Sequence, residues 1–501
     1  MRIPFPATLA AFLAALWVKA IYPPASGIAD TDFYWHIAYG QWILAHGALP
    51  AGDVFSWSMP GAPYRLTQWL GETLMGASFN AWGLHGTKAL SVLLAAVTIG
   101  FSWLAARRFV HTSTALGIAL VCNLVTLVTP MRPQLFTFAL LSVLAWIVAE
   151  WMSGGRRGLA FLLVPIMALW VNLHGGYVVG IGFLGLTCAG LWFEAWQGRT
   201  LHDRHLWGFT LICCSAVLAT LLNPYGIGAW ESVLMIGGLR SSSVISEWMP
   251  VNLTTEIGWF YLLNLVPFVA LLTTGARSRP THALLAGLFL VFGLLANRQV
   301  AMCAAVMAPT IAALLVQTPQ YQTMAANASN PSRPFIHTLL ILALLAVFPW
   351  IQNKGDARWA ETINGQYPVK ATDFLKAHGF TERVLSDTLE ASYLIYAGVP
   401  VFIDGRMDLY RDHFFFDYHL ASKAAPGWDR FLDKHRPDTL LLRNDVALRQ
   451  VVIASGQWKI VYDDDRYSIL RPHADDSLPA LAARQVAYLD DNGRMLRSYM
   501  P

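Results

Sequence analysis

The amino-acid sequence predicts a polytopic α-helical membrane protein that ends in a small extramembrane α/β domain. Three observations predict this fold class. Of 501 residues, 55% are hydrophobic and only 13% are charged, whereas soluble domains average roughly 25% charged residues. The apolar residues form long runs separated by short polar loops, and after residue 352 the pattern becomes that of a soluble domain. The net charge of +4 is too small to indicate nucleic-acid binding.

About eleven apolar runs approach the roughly 20 residues that a helix needs to cross a bilayer. They centre on residues 7–23, 86–106, 113–129, 133–151, 158–172, 176–196, 207–222, 257–274, 281–296, 299–316 and 335–351. The first run is expected to stay as an uncleaved helix, because no convincing small-residue cleavage site accompanies it. All 5 cysteines lie inside apolar runs, so we expect buried thiols and no disulfide framework or metal-binding spacing.

Positive charge in the short loops predicts the orientation of the chain, since cytoplasmic loops carry an excess of Lys and Arg. The basic clusters are Arg107 with Arg108, Arg156 with Arg157, Arg199 with Arg204, and Arg277 with Arg279. They fall on one side if the N-terminus is cytoplasmic and residues 68–84 lie along the membrane surface. Residues 30–68, residues 223–256 and the C-terminal tail are then extracytoplasmic.

We predict two domains, a transmembrane domain over residues 1–352 with a large first external loop at 24–85, and a soluble domain over 353–501. In the second domain, helix-like segments alternate with short apolar strand candidates. The strand candidates are residues 384–385, 399–403, 439–442, 459–462 and 467–470. This alternation predicts a small α/β domain with a partly parallel sheet.

The first external loop contains the polar residues on which the functional prediction depends. Asp30 and Asp32 follow the first apolar run, and His36 lies one helical turn after Asp32. An aromatic, amphipathic stretch and the turn at residues 50–53 come next. Such a segment between apolar runs is typical of an enzyme that acts on a lipid-borne substrate at the membrane face.

This loop resembles that of a known superfamily. The acidic pair is followed by W-H, by G-x-W-I-L-x-x-G-x-x-P-x-x-D-x-F-S at residues 40–56, and by W-L at residues 69–70. The pattern resembles the polytopic glycosyltransferases of the GT-C superfamily, in particular the bacterial branch of RgtA/B/C/D-like enzymes related to dolichyl-phosphate-mannose protein mannosyltransferases. The likeness covers the N-terminal half and is looser beyond about residue 335.

The resemblance implies a GT-C-like fold and a catalytic role for Asp30 or Asp32, with Asp30 favoured as the general base and Asp32 as its support. It implies transfer of a sugar from a polyprenyl-phosphate-linked donor to an envelope glycan, lipid or protein acceptor. Together with the orientation that the loop charges predict, it indicates a multi-pass protein of a bacterial inner membrane, with a cytoplasmic N-terminus and a periplasmic C-terminal domain. No metal ligand is assigned, although a divalent cation remains a candidate cofactor.

Ionisable residues near the membrane need a partner or a function, because inserting a charge costs about 2.5–3.5 kcal/mol. Arg132, between two prolines, and Arg298, at the start of an apolar run, are predicted to lie on the outer face. Guanidinium groups bind phosphate oxygens well, so we predict a clamp for the donor phosphate. The alternative for Arg132 is an interface arginine that extends towards water.

Three further residues are predicted substrate contacts on the same side, together with His36. His174 could line a pocket beside Asn172, although a buried histidine that only satisfies hydrogen bonds is the commoner case. Glu247 could bind a sugar hydroxyl or a divalent ion, or be an ordinary loop carboxylate. Trp248 could stack on a sugar ring. Because these residues all fall on the outer side of one topology, the sequence predicts a single site.

The tail carries the sequence V-F-I-D-G-R-M-D-L-Y at residues 401–410, with acidic residues and Arg406 after a strand candidate. Such a position binds ligands in many α/β domains, and a self-neutralising Asp–Arg turn is the alternative. Two other functions stay open, a lipid or polysaccharide transporter and a non-catalytic subunit of an envelope polysaccharide assembly machine.

Overall fold

The computed structural model describes residues 5–21, 31–326 and 365–482, and the short strands at 488–489 and 495–496. The chain forms two compact units. The first comprises Met1–Ile28, Tyr39–Leu49 and Arg65–Ala360, and the second comprises Ala29–Ala38, Pro50–Tyr64 and Glu361–Pro501. Two segments of the first loop are thus grouped with the C-terminal residues. The domain boundary at residue 352 stays a prediction.

The helices before residue 327 carry most of the first unit, except that residues 33–38, at the start of the second helix, are grouped with the second unit. They are α1 (Phe5–Ile21), α2 (Phe33–His46), α3 (Trp69–Trp82), α4 (Leu84–Ala106), α5 (Thr112–Cys122), α6 (Leu124–Val128), α7 (Gln134–Met152), α8 (Leu163–Leu173), α9 (Tyr177–Gln197), α10 (Arg204–Ala219), α11 (Gly228–Gly237), α12 (Glu256–Thr273), α13 (Pro280–Leu295), α14 (Val300–Leu315) and α15 (Pro319–Ala326). Short 3₁₀ turns lie at Arg157–Leu162, Arg240–Val244, Ser246–Trp248 and Asn297–Gln299.

Ten of the eleven predicted apolar runs are helical, and the run at 335–351 lies outside the described residues. Within the described part of the chain, five helices are long and apolar enough to cross a membrane: α4, α7, α9, α12 and the segment Asn297–Leu315. The others are apolar but shorter. Residues 113–129 form two helices, which meet at Asn123. The surface position predicted for residues 68–84, which contain α3, stays a prediction.

Helix α14 is the buried centre of the first unit. It packs against α4, α5, α7, α12 and α13, and almost all of its side chains are buried. Its sequence is rich in alanine, and such small side chains let neighbouring helices approach closely. Close packing of this kind drives helix association in lipid, where the hydrophobic effect between helices is absent. By contrast, outward-facing side chains such as Leu211, Leu218 and Trp259 are exposed. These apolar surfaces suit contact with lipid hydrocarbon.

Helices α2 and α3 contact each other through glycine. A Cβ atom on Gly76 would lie 2.6 Å from the carbonyl carbon of Gly40, so larger side chains would force the helices apart. Gln41 Nε2 donates to Asn80 Oδ1 at 2.7 Å beside this contact. Within the first unit, α2 and α3 therefore form a closely packed helix pair.

The second unit is built on a four-stranded mixed sheet. Its strands are β1 (Val384–Leu385), β2 (Thr439–Arg443), β3 (Trp458–Asp463) and β4 (Tyr467–Pro472), in the order β1-β2-β4-β3. Only the β1–β2 pair among these strands is parallel. A separate pair, β5 (Tyr488–Leu489) and β6 (Met495–Leu496), is antiparallel.

Five helices accompany these strands: α16 (Val369–Ala377), α17 (Thr388–Tyr396), α18 (Met407–Ser422), α19 (Trp428–His435) and α20 (Ala447–Ala454). Four of the five predicted strand segments are strands. The fifth, 399–403, contributes isolated bridges at Val401, which pairs with Val384 on one side and with Ser56 on the other. Part of the first loop therefore extends the sheet of the second unit.

Candidate active site

Two 3₁₀ turns in the first unit bring Arg298, a predicted phosphate-binding residue, together with the predicted substrate contacts Glu247 and Trp248. Glu247 and Trp248 lie on the turn Ser246–Trp248, and Arg298 lies on the turn Asn297–Gln299. The side chain of Asn297 donates to the carbonyl of Ser246 at 2.8 Å, and its backbone N–H donates to Met249 O at 3.0 Å. These bonds hold the two turns side by side.

Arg132 pairs with Glu247. Its Nη1 atom lies 2.9 Å from both carboxylate oxygens, and the two side chains are 16% and 30% exposed. Arg132 occupies the break between α6 and α7, where the helix ends at Val128 and restarts at Gln134. Proline on both sides of Arg132 explains this break, as the sequence predicts.

Arg298 stacks on Trp248, with the guanidinium carbon 4.2 Å from the ring centroid. Gln134 Nε2 donates to the backbone carbonyl of Arg298 at 3.0 Å, which ties this turn to the start of α7. Two arginines and one glutamate leave the cluster with a net positive charge. It is therefore suited to attract an anion.

The charges of this cluster act on Glu247. Burial raises the pKa of Glu247, but the positive charges of Arg132 and Arg298 and the hydrogen bond from Arg132 outweigh burial and lower the pKa below its usual value. Glu247 is therefore an anion at neutral pH and competes with any external anion for Arg132.

His174 is the C-cap of α8 and is buried. Its Nδ1 accepts the backbone N–H of Gly176 at 3.0 Å and lies 2.8 Å from the Thr137 hydroxyl. Because Nδ1 is an acceptor, the proton of the neutral ring is on Nε2. Burial, and to a smaller extent the positive charge of Arg298, lower the pKa of His174 to about 3, so the ring is neutral at pH 7. The hydrogen bonds match the structural alternative considered for His174, and its contact with substrate stays a prediction.

Asp32 lies in the second unit, directly before α2, and Asp30 lies outside the described residues. The indole N–H of Trp35 donates to Asp32 Oδ1 at 3.1 Å. Asp32 Oδ1 also lies so close to Gly405 that a Cβ atom there would clash with it. These neighbours orient the carboxylate.

His36 is buried and its ring lies 3.7 Å from that of Trp35. The start of α2 is capped from a distant helix, since the Ser392 hydroxyl accepts the backbone N–H groups of Tyr34 and Trp35, each at 3.2 Å. The segment that carries Asp32 and His36 is thus anchored within the second unit. Catalytic and binding roles for these residues stay predictions, as does one site formed by all the predicted residues.

The tail motif at residues 401–410 forms a self-neutralising Asp–Arg pair, which is one of the two interpretations of its sequence. Asp53 of the first loop is an additional partner of this pair. Arg406 Nε donates to Asp404 Oδ1 at 2.8 Å, and Nη1 contacts Asp53 of the first loop. Tyr410 donates its hydroxyl to Asp404 at 2.9 Å. The three ionic side chains have no exposed surface. This cluster anchors the segment at residues 50–64, which contains Asp53, within the second unit.

Sequence reasoning did not identify Gln134, Thr137 or Asp53 as parts of these arrangements. Gln134 follows the Arg132 turn immediately, so a polar residue at the first position of an apolar helix was an available signal. Asp53 is part of the motif at residues 40–56, yet nothing in the sequence relates it to Arg406. Among the residues described, no group of three or more His, Cys, Asp or Glu side chains could hold a metal ion.

No protein-family model matches the sequence, and no curated protein matches it significantly. Solved structures do match. The crystal structure of ArnT from Cupriavidus metallidurans bound to undecaprenyl phosphate is 15% identical, with a TM-score of 0.53 over 95% of this chain and 98% of that chain. The apo structure of the Archaeoglobus fulgidus oligosaccharyltransferase is 10% identical, with a TM-score of 0.53 over 87% of this chain and 70% of that chain.

The same oligosaccharyltransferase tethered to an acceptor peptide containing an NVT sequon is 12% identical, with a TM-score of 0.54 over 87% of this chain and 69% of that chain. At these identities the likeness establishes the fold. It confirms the predicted helical membrane architecture. The chain has the fold of these two proteins, which is the GT-C-like fold that the resemblance of its first loop implies.

Proposed function

We propose that this protein is a membrane glycosyltransferase that transfers a sugar from a polyprenyl-phosphate-linked donor to an acceptor outside the cytoplasm. The acceptor is an envelope glycan, lipid or protein, and the location is a bacterial inner membrane with the C-terminal unit in the periplasm. The observation that carries the proposal is the cluster of Arg132, Glu247, Trp248 and Arg298, in a fold shared with a structure that contains undecaprenyl phosphate.

The cluster has the chemistry that a phosphate-linked donor requires. A phosphate oxygen is an anionic acceptor like a Glu247 oxygen, so donor binding exchanges one partner of Arg132 for another. Arg298 supplies the second positive charge, and Gln134 holds its backbone in place. The Trp248 ring, half-buried beside Arg298, offers an apolar surface at the place where the donor sugar would meet the clamp.

The transfer step follows from the bonds that change. The acceptor hydroxyl oxygen forms a bond to C1 of the donor sugar, and the bond from C1 to the phosphate oxygen breaks. The phosphate departs with the bonding electron pair, and the arginines stabilise its developing charge. The hydroxyl proton passes to a carboxylate acting as general base, which we assign to Asp30 or Asp32. Trp35 and Gly405 orient the Asp32 carboxylate for either the basic or the supporting role.

The experiment is a transfer assay with membranes that contain the full chain. Polyprenyl-phosphate donors that carry different radiolabelled hexoses and pentoses are supplied, and label is followed into lipid, glycan and protein fractions. Transfer of label with release of polyprenyl phosphate supports the proposal. Movement of an intact lipid-linked sugar across the membrane, without cleavage of its sugar–phosphate bond, would identify a transporter instead.

A further inference from the structure

The second unit contains a cleft that the proposed transfer reaction does not use. Its volume is about 420 Å³, within the usual range for small-molecule sites. One wall comes from α19 and the residues after it, and the other comes from the start of β3 and the end of β4. None of the predicted catalytic or donor-binding residues lines it.

Two tryptophans, Trp428 and Trp458, line the cleft. Both are only half-buried, although tryptophan is on average a highly buried residue. One begins α19 and the other begins β3, so two separate elements present aromatic side chains to the same space. Such amphipathic rings are typical of binding surfaces that need apolar contact and a polar surrounding.

Polar groups surround these rings. Asp429 and Asp433 lie one turn apart on α19, and Arg436 and Gln457 complete the lining. All four side chains are exposed, and within the described part of the chain none forms a hydrogen bond or ion pair. Two carboxylates one helical turn apart repel each other, and a bound group that donates hydrogen bonds to both would relieve this repulsion.

Arg436 adds a conformational observation. It ends α19 with a left-handed backbone, at φ 48° and ψ 59°. Glycine is the usual residue in this conformation at a helix C-terminus, and an arginine side chain makes it less favourable. The chain thus keeps a guanidinium at the edge of the cleft at a position where glycine would be more stable.

We propose that this cleft is a saccharide-binding site, separate from the site of transfer. A pyranose ring has apolar faces that stack on tryptophan and a rim of hydroxyls that donate and accept hydrogen bonds. The carboxylates accept such bonds, and the guanidinium and amide donate them. Two aspartates and one arginine give the cleft a negative charge, so it selects neutral or amino sugars over uronic acids and sugar phosphates. In this role the second unit holds a glycan chain.

The test is isothermal titration calorimetry of the full chain in nanodiscs, which avoids detergents with sugar head groups. The probes are trimers of N-acetylglucosamine, glucosamine and galacturonic acid. We expect one site that binds the neutral or the cationic trimer. Trp428→Ala and Trp458→Ala should each weaken binding about tenfold or more, as for aromatic anchors at other interfaces. Gln457→Ala should weaken it roughly 2–10-fold, the usual range for one hydrogen bond.

Phe416→Ala is the matched control, since Phe416 is a half-buried aromatic residue of the second unit outside the cleft. The Phe416→Ala variant should bind the trimers with the same affinity as the wild type. If a tryptophan variant does not fold, Gln457→Ala and Asp433→Asn carry the test, because both side chains are exposed. The proposal is overturned if no trimer binds, if galacturonate binds best, or if the cleft variants and the control bind equally.

Discussion

Arg406 contacts the carboxylate of Asp53 across 353 positions of sequence, and neither side chain has any surface exposed to solvent. Asp404 neutralises the same guanidinium from two residues away. Because a buried charge that loses its partner is strongly destabilising, this cluster makes residues 50–64 of the first loop an integral part of the second unit.

Removing one charged side chain of this cluster should therefore lower the stability of the second unit. We expect Asp53→Ala and Arg406→Ala each to destabilise the second unit by about 3–5 kcal/mol, the range for breaking a buried ion pair. The measurement is the thermal unfolding midpoint of the purified full chain. Arg443→Ala is the control, because Arg443 forms an exposed pair with Asp445 that should contribute only about 0–1 kcal/mol. Equal midpoints for Arg406→Ala and Arg443→Ala would contradict the anchoring role.

Asparagine at the catalytic base should abolish most transfer with little effect on the fold. It keeps the shape and hydrogen-bonding capacity of aspartate but cannot accept the proton. General-base catalysis contributes roughly 10²–10⁴-fold. Whichever of Asp30→Asn and Asp32→Asn removes the base should therefore reduce turnover by that factor, and the other variant should reduce turnover less. Transfer of labelled sugar is measured for both single variants and the double variant. Asp476→Asn, at an exposed position, controls for the substitution itself.

Normal transfer by the double variant would remove the catalytic role from this loop. A further variant addresses the position of Asp32. Gly405→Ala should reduce turnover without changing either carboxylate, because the added methyl group clashes with Asp32 Oδ1.

Substitutions in the arginine cluster should act mainly on donor binding. Arg132→Lys and Arg298→Lys keep the charge but lose the planar guanidinium, so we expect the KM for the donor to rise roughly 10-fold, with a smaller change in kcat. Glu247→Gln should lower that KM, because the anion that competes for Arg132 is removed. Arg240→Lys is the control, since Arg240 begins a neighbouring 3₁₀ turn. A donor KM that none of the three cluster variants changes would exclude the clamp.

Glu390 should make the stability of the second unit depend on pH. Burial and the nearby charge of Asp387 raise the pKa of this carboxyl to about 8, whereas an unfolded glutamate has a pKa near 4.3. The folded state therefore binds the proton more tightly. The stabilisation that the protonated Glu390 carboxyl gives to the folded state is complete below pH ~4.3. It decreases above that pH and is lost as the pH rises through about 8.

Glu390→Gln should remove this dependence, which for one group amounts to at most about 1.4 kcal/mol per pH unit. The unfolding midpoints of wild type and variant are compared from pH 4 to 9. We expect the wild type to lose stability relative to the variant as pH rises. Glu382→Gln, at an exposed position, should leave the wild-type slope unchanged. A parallel pair of profiles for wild type and Glu390→Gln would show that Glu390 is not responsible.

Reporter fusions should test the orientation predicted from loop charge. A reporter at residues 153–157 should be labelled from the cytoplasm, and one at residue 480 from the periplasm. Both positions lie in loops or turns, so the insertion interrupts no helix or strand. A cytoplasmic label at residue 480 would contradict the proposed location of the second unit.

Much of the helical architecture was predictable because hydrophobic length is a local property of the sequence. A run such as 86–106 must bury its backbone polar groups in a helix if it lies in lipid, and it forms α4. The strands at 439–443 and 467–472 were predictable for a similar reason, since short apolar runs between turn residues favour a sheet. The positions of Arg132 and Arg298 at helix breaks were also visible, because proline and charge interrupt apolar runs.

Tertiary structure alone decided which of these residues meet. Glu247 reaches Arg132 across 115 positions, and Asp53 reaches Arg406 across 353. Local hydrophobicity and turn signals depend only on neighbours in the sequence. They therefore do not indicate which acidic residue neutralises a given arginine. The choice depends on how helices and strands pack, and burial then makes each chosen pair costly to break. The sequence by itself determined where helices, breaks and charges lie, and packing decided the partners of those charges.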